Sequence, residues 1–228
     1  MKREQKGFTL VEIAIVLVII GLLLGGILKG QEMITQAKIK NVVADFSGIS
    51  AAYYGYQDRY RAIPGDDAGA VARWAAAAIP AAPASGAYGN GIVSGGYSTS
   101  TANEESRLFW LELRSAGFVA GTGQQQPFNA VTGMLGVQTG DAVLAPVGPT
   151  MLNAAGGNGF VGLIICSAGL PDKIAIAVDT QMDDGASNTG TVRALIQAAP
   201  NPAIGAGQVA TAAFAETGTN IYTVCRSL

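Results

Sequence analysis

The sequence contains no histidine, and this absence removes several kinds of catalytic site at once. Serine–histidine–aspartate triads, histidine general bases and histidine-ligated metals all need the imidazole ring. The two cysteines are too few for a structural zinc site without histidine. No GxxxxGK[ST] phosphate-binding loop occurs in the chain either. We therefore expect no enzyme activity, and no cofactor unless oxygen ligands bind a metal ion.

Charge is also scarce, since charged residues make up 13% of the chain and the net charge is −2. A protein with this balance has no global basic surface, so we expect no general nucleic-acid binding. Hydrophobic residues reach 49%, which is too many for a chain that is disordered throughout.

What the chain does have is a long apolar run near its N-terminus. Phe8 to Leu28 is 21 residues with a single charged side chain, Glu12. As a helix this run would measure about 31 Å, enough to cross a hydrocarbon core of about 30 Å. Lys2, Arg3 and Lys6 precede it, which places the N-terminus in the cytoplasm and the rest of the chain outside.

Two ordinary explanations of this run fit poorly. A cleaved secretory signal needs small residues just after the apolar region, whereas Lys29-Gly30-Gln31 follows Leu28. A plain signal anchor explains the length but not Glu12, because an acidic side chain in hydrocarbon costs roughly 2–3 kcal/mol. The intramembrane carboxylate therefore indicates a function that involves a partner.

The segment Lys6-Gly7-Phe8-Thr9-Leu10-Val11-Glu12, followed by an apolar helix, closely resembles the prepilin signal of type IV pilins and type II secretion pseudopilins. The resemblance implies cleavage after Gly7 by a prepilin peptidase and N-methylation of Phe8. In a filament, Glu12 could then pair with the Phe8 amine of a neighbouring subunit. A mispositioned subunit would leave a buried charge unpaired, so this pair would set the register.

A stripe of apolar residues continues the helix beyond the membrane segment. From Ile39 to Ile63 these residues recur at alternating spacings of three and four, and Pro64 then disfavours helix. The pattern predicts one helix from about Phe8 to Ala62, with a coiled coil as the alternative use of the stripe. The expected divisions are a leader (1–7), a transmembrane and filament-core helix (8–28), its amphipathic half (29–63) and a globular head (64–228).

The sequence of the head predicts a second helix followed by strands. Asn103 to Ser115 has a capped, helical pattern, and the Ala-, Gly- and Pro-rich stretch from 75 to 96 predicts a weakly ordered loop. Strands are expected at Gly159–Ser167, Lys173–Asp179, Thr191–Gln197 and Asn220–Arg226. The predicted fold class is α+β and pilin-like, with the long helix packed on a small antiparallel sheet.

The cysteines, Cys166 and Cys225, would lie in the exported head. Because that compartment is oxidising, we expect a disulfide between them, with two buried free thiols as the alternative.

An acidic cluster is the best candidate metal site. Asp179, Asp183 and Asp184, followed by Gly185, could hold Ca²⁺, which prefers oxygen ligands. Some major pseudopilins bind calcium in a comparable region. A plain hairpin turn at Asp184-Gly185 is the alternative. The acidic pair Asp66-Asp67 is read as turn and capping residues.

The resemblance leaves the role within a filament open. Major pilin, minor pilin and type II secretion pseudopilin remain, and a filament-tip protein for adhesion or DNA uptake is a further alternative. Many major pilins have proline where this chain has Lys29, which favours a minor or specialised subunit. The implied partners are other pilin-like subunits, the prepilin peptidase, the inner membrane and an assembly platform. The implied destination is an extracellular pilus or a periplasmic pseudopilus.

Overall fold

The computed structural model describes residues 9–140, 159–205 and 208–228, which divide between two compact units, 1–38 and 39–228. The helices are α1 (Leu10–Tyr60), α2 (Ala70–Arg73), α3 (Glu105–Ser115) and α4 (Asp172–Met182), with a 3-10 turn at Ala75–Ala77. The strands are β1 (Leu135–Thr139), β2 (Leu163–Pro171), β3 (Val192–Ile196) and β4 (Ile221–Ser227). The expected α+β, pilin-like fold class is confirmed.

Helix α1 is one unbroken helix of 51 residues. Its apolar part in the first unit has no buried residue, and it is long and apolar enough to cross a membrane. In the second unit its predicted stripe is buried, at Ile39, Val42, Phe46, Ile49, Tyr53 and Tyr56. The helix ends at Tyr60, slightly before the expected Ala62, because Arg61 takes a left-handed conformation with φ 56°.

The sheet has four antiparallel strands in the order β1-β2-β4-β3. Alternate residues of the strands point towards α1, so Val137, Ile165 and Val224 share one buried cluster with Phe46. Burial of such a stripe supplies most of a helix's stability in a protein. The second half of α1 is therefore part of the core of the head.

The strand expected at Lys173–Asp179 is wrong, because these residues belong to helix α4. Ile174, Ala175 and Val178 are buried on its inner face, at helical spacing. Of the other expected strands, β2 begins later than position 159 and continues to Pro171, whereas β3 and β4 match within a few residues. Strand β1 is an element that the sequence pattern does not predict.

The loop from 75 to 96 is better ordered than its composition predicts. It contains the 3-10 turn, and Ile79 and Val93 are buried within it. Ile79 packs with Ala70 of α2 and with Leu108 and Leu111 of α3. These apolar contacts attach the loop to the outer side of α3.

Cys166 and Cys225 stand opposite each other in the β2–β4 register and form a disulfide, with their Cα atoms 4.1 Å apart. The disulfide prediction is confirmed, and the alternative of two free thiols is wrong. The bond joins the two central strands of the sheet across a sequence separation of 59.

Candidate functional site

The predicted assembly residue Glu12 lies in the first turn of α1, whereas Gly7 and Phe8 lie outside the described residues. The Thr9 amide and hydroxyl groups both donate to Glu12 Oε2, each at 2.8 Å. The Glu12 amide lies 3.3 Å from Thr9 Oγ1. This reciprocal arrangement is a capping box, and it holds the carboxylate at the start of the helix.

The helix surface beyond Glu12 is apolar and uncovered in the single chain. Leu10 is 92% exposed, and the large side chains as far as Leu28 are all exposed. A soluble monomer rarely shows an apolar patch of this extent, so the surface indicates contact with lipid or with other proteins. A Cβ added at Gly21, Gly25 or Gly26 would meet no atom within 4 Å, so the surface is open there too.

The acidic cluster predicted from sequence is formed by the last turn of α4 and the first residues of its connection to β3. Asp179, Asp183 and Asp184 each bring one oxygen to within 4.8 Å of the others. Asp179 is fully buried, and its Oδ2 has no hydrogen-bond partner in the described part of the chain. Its burial, together with the charges of Asp184 and Asp183, raises the pKa of Asp179 to about 7.

The backbone around this cluster fixes the carboxylates. Asp179 Oδ1 accepts the Gly185 amide at 3.0 Å, and Asp183 Oδ2 accepts the Val192 amide at 2.8 Å. Gly190 has φ 69°, a left-handed conformation that favours glycine, and a Cβ there would displace the Asp183 carboxylate. Gly185 has φ 77°, and the Asp184 carboxylate accepts the Ala186 amide at 2.9 Å, so the expected turn is present, although it joins helix α4 to strand β3 and is not a β-hairpin.

A second group of buried polar residues, which we call the Tyr56 network, is not predicted as a unit by the sequence. The Tyr56 hydroxyl donates to Asp67 Oδ2 at 2.7 Å and lies 3.2 Å from Glu112 Oε2. Glu112 Oε2 also accepts the Gly65 amide at 2.7 Å, and Arg73 donates to Asp67 Oδ2 at 2.6 Å. Burial raises the pKa of Glu112 to about 8. The network ties α1 to α3 and to the turn that follows α1.

The pair Asp66-Asp67 has the structural role expected of turn and capping residues. Asp67 Oδ1 accepts the Gly69 amide at 2.7 Å. Asp66 accepts amides from the distant loop, with Asn90 at 3.1 Å and Gly91 at 2.7 Å. Asp66 therefore fastens the loop to the turn, a long-range contact that the sequence pattern does not reveal.

The family described as the prokaryotic N-terminal methylation motif matches residues 2–28. The chain carries the type IV pilin and pseudopilin signature. The match covers Gly7, Phe8 and Glu12 and confirms the resemblance seen in the sequence. Comparison with curated proteins and with solved structures gave no match.

This pilin-type signature explains the arrangement of the first unit. The motif and the exposed apolar helix together fit a membrane-anchored precursor, and they suggest a structural subunit that assembles with other pilin-like subunits. Neither the acidic cluster nor the Tyr56 network lies within the matched residues.

Proposed function

We propose that this protein is a structural subunit of a type IV pilus or a pilus-like filament. It is held in the inner membrane as a single-pass precursor, with its head outside, and it assembles through its N-terminal helix. The observation that carries this proposal is the methylation motif leading into an exposed apolar segment, up to Leu28, whose only charged side chain is Glu12. An exposed helix of this kind can move from lipid into a filament core, because both environments are apolar.

Processing precedes assembly in this proposal. A prepilin peptidase cuts after Gly7 and methylates the new amine of Phe8. Cleavage before the helix leaves the apolar segment on the mature chain, so the subunit stays in the membrane. Replacing Gly7 with leucine should leave an uncut precursor on an immunoblot. A band of mature size would contradict this step.

Glu12 sets the register in the assembled filament. Thr9, which follows Phe8 in the sequence, holds the Glu12 carboxylate at the start of α1. In the filament this carboxylate pairs with the Phe8 amine of a neighbouring subunit. Pairing neutralises two charges that are costly in an apolar core, and a wrong stagger leaves both unpaired. The interaction therefore selects one arrangement of neighbouring subunits.

The test is Glu12→Ala compared with Glu32→Ala. Glu32 lies on the same helix but in an exposed ion pair with Lys29, at 2.7 Å, so its removal should leave filaments intact. Glu12→Ala should be processed and inserted normally, yet yield at least tenfold fewer sheared filaments. Wild-type filament yield from Glu12→Ala would overturn the proposal.

Within the filament we favour a minor or specialised subunit. Helix α1 continues without a break through Lys29, where many major pilins carry proline. The amount of the protein in sheared filaments, relative to other subunits, decides this point. A trace amount supports a minor pilin or a tip protein, and a dominant amount contradicts it. Accumulation only in the periplasm would assign the chain to a secretion pseudopilus.

We also propose that the acidic cluster binds Ca²⁺, since a fully buried, unpartnered oxygen of Asp179 lies in it. Buried polar atoms are rarely left without a partner, and a cation would supply one. Millimolar CaCl₂ should raise the melting temperature of the detergent-solubilised protein by several degrees, whereas Asp184→Asn should show less than half that shift. Equal shifts with MgCl₂, or no shift with calcium, would contradict a calcium site.

A further inference from the structure

A groove beside the part of α1 that belongs to the head contains an acid without a partner. Asp45 is half-buried in it, and none of the residues that the structure describes donates a hydrogen bond or an ion pair to its carboxylate. The groove encloses about 280 Å³. Burial raises the pKa of Asp45, so its negative charge is incompletely solvated in the single chain. A cation in the groove would compensate this charge.

Three aromatic side chains line the same groove: Trp110, Phe118 and Phe128. Trp110 is fully buried, whereas Phe118 is 37% exposed and Phe128 is 66% exposed. We therefore describe Trp110 as the base of the groove and the two phenylalanines as its rim. The face of an aromatic ring attracts a cation that lies within about 6 Å of the ring centre. The rings and the carboxylate together favour an organic cation over an anion or an uncharged group.

The remaining walls decide which kind of cation fits. Among the described residues that line the groove, Asp45 has the only side chain that accepts hydrogen bonds, since the rest of the lining, apart from the three rings, is aliphatic or glycine: Ala44, Gly48, Ile49, Val119, Pro127 and Leu135. A primary ammonium group carries three N–H donors and a guanidinium group carries five, and most of them would lose water here without gaining an acceptor. A quaternary ammonium group has no donor and an apolar surface, so it suits these walls best.

The indole of Trp110 adds a requirement for an oxygen atom. Its Nε1–H is buried and has no acceptor in the part of the chain that the structure describes. Buried tryptophan N–H groups usually have a hydrogen-bond partner. A ligand seated at the base of the groove can supply one, provided that it carries an acceptor oxygen close to its charged group.

We propose that this groove binds a small quaternary ammonium compound of the choline type. The trimethylammonium group lies between Phe118 and Phe128 beside Asp45, and the oxygen of the ligand accepts the hydrogen bond of Trp110. The volume of about 280 Å³ is just below the usual range for ligand pockets, about 300–1,000 Å³, and suits a ligand of this size. All of these residues lie in the unit 39–228, so the site is complete in one subunit and does not depend on filament assembly.

Calorimetric titration of the full-length protein, solubilised in a maltoside detergent, tests the site. Choline and phosphocholine are titrated separately, and at least one should bind with a dissociation constant in the millimolar range or below. Tighter binding of choline identifies a free soluble cation as the ligand, whereas tighter binding of phosphocholine identifies a phosphocholine head group on a lipid or a glycan. Failure of both to bind would overturn the proposal.

Two analogues separate the features of the ligand. The uncharged analogue of choline, in which carbon replaces nitrogen, keeps the shape and the hydroxyl group but loses the charge. Ethanolamine keeps the charge and the hydroxyl group but loses the methyl groups. Each should bind about tenfold more weakly than choline or phosphocholine, whichever of these is the tighter ligand. An analogue that binds as tightly as that ligand would show that a quaternary ammonium group is not what the groove recognises.

Variants of the groove provide the test on the protein. Asp45→Asn removes the charge with little change in shape and should weaken binding about tenfold. Phe128→Ala should also weaken binding, and because Phe128 is exposed the fold should tolerate it. Asp58→Asn is the matched control, since Asp58 lies on the same helix but is exposed and away from the groove. Wild-type affinity in Asp45→Asn would contradict the assigned role of the carboxylate and overturn the proposal.

The indole N–H resonances report on the base of the groove directly. The chain has two tryptophans, and Trp74 does not line the groove, so it serves as a control within the same spectrum. In protein labelled on the indole nitrogen, the tighter ligand should shift the Trp110 signal and leave the Trp74 signal in place, with Trp74→Phe used to assign the two. Equal shifts of both signals, or an unmoved Trp110 signal at saturating ligand, would contradict binding in this groove.

Discussion

Tyr56 on α1 and Glu112 on α3 meet in the interior of the head, with 3.2 Å between the hydroxyl oxygen and Glu112 Oε2. Both residues are fully buried, and Glu112 Oε1 has no partner in the part of the chain that the structure describes. Such a carboxyl group is less costly when it holds a proton. The contact that joins the long helix to α3 therefore depends on pH.

Glu112 should make the head more stable in mild acid than at alkaline pH. Its pKa is about 8 in the folded chain and 4.5 as the reference value. The folded state therefore keeps a proton that the unfolded state loses, and stability falls as the pH rises from about 4.5 to about 8. Glu112→Gln should reduce this slope and gain about 1–3 kcal/mol at pH 8. Urea unfolding at pH 5 and pH 8 measures both effects.

The matched control for this experiment is Glu216→Gln, since Glu216 lies in an exposed ion pair with Lys173. That variant should keep the slope of the wild type. Identical slopes for the wild type and Glu112→Gln would contradict a protonated Glu112.

A methyl group at Gly136 should destabilise the sheet. A Cβ there would lie 2.0 Å from the carbonyl oxygen of Tyr97, so the backbone would have to move. We expect Gly136→Ala to lose at least about 2 kcal/mol of unfolding free energy. Gly162→Ala is the control, because its Cβ would meet nothing within 4 Å, and it should stay within about 1 kcal/mol of the wild type. Comparable losses for both variants would show that the close contact is not responsible.

Removal of the disulfide should lower stability without changing the fold. Replacing Cys166 and Cys225 together with alanine removes the constraint on the unfolded chain, which is worth about 3–5 kcal/mol for a loop of this size. Thermal unfolding with and without reductant measures it. Reductant should lower the melting temperature of the wild type only. A drop in the double variant would point to another cause.

Asp172 should stabilise the protein at neutral pH but not in strong acid. Its burial acts to raise its pKa, but amide hydrogen bonds from Gly218, Lys173 and Thr217 outweigh this, and the pKa is lowered from 3.8. The stabilisation by Asp172 is present when the pH is above the pKa of this carboxyl group in the unfolded chain. It is lost as the pH falls through the lower pKa of the folded chain. Asp172→Ala should cost about 1–2 kcal/mol at pH 7. Asp58→Ala, at an exposed ion pair, should cost less than about 0.5 kcal/mol, and equal losses would contradict the prediction.

The sequence predicts the long helix well because its apolar stripe extends over many turns. Helix α4 is mistaken for a strand because Ile174-Ala175-Ile176-Ala177-Val178 can be read with a period of two as well as with a helical period. Packing against the sheet decides between the two, and the local pattern does not contain that information. Strand β1 is missed because it is short and includes Gly136 and the polar, buried Gln138.

The same difference between local sequence patterns and contacts made only on folding applies to the candidate sites. Gly7, Phe8 and Glu12 form a local motif, and the three aspartates at the end of α4 are close in sequence, so both groups can be identified directly. Tyr56 and Glu112 are separated by 56 positions, and only folding brings them together. The sequence indicates this buried pair through one residue, Glu112, which is a single glutamate within the apolar run of α3.

The bond between Cys166 and Cys225 also limits how far the head can be stretched. Helix α4, strand β3 and the acidic cluster all lie within the closed loop between these cysteines. In the filament that we propose, the subunit would bear tension, and without the bond the sequence separation of 59 would allow the chain to lengthen by about 200 Å. Because that length is unavailable while the bond is intact, force applied to an oxidised head bypasses α4 and β3 and is carried directly between β2 and β4.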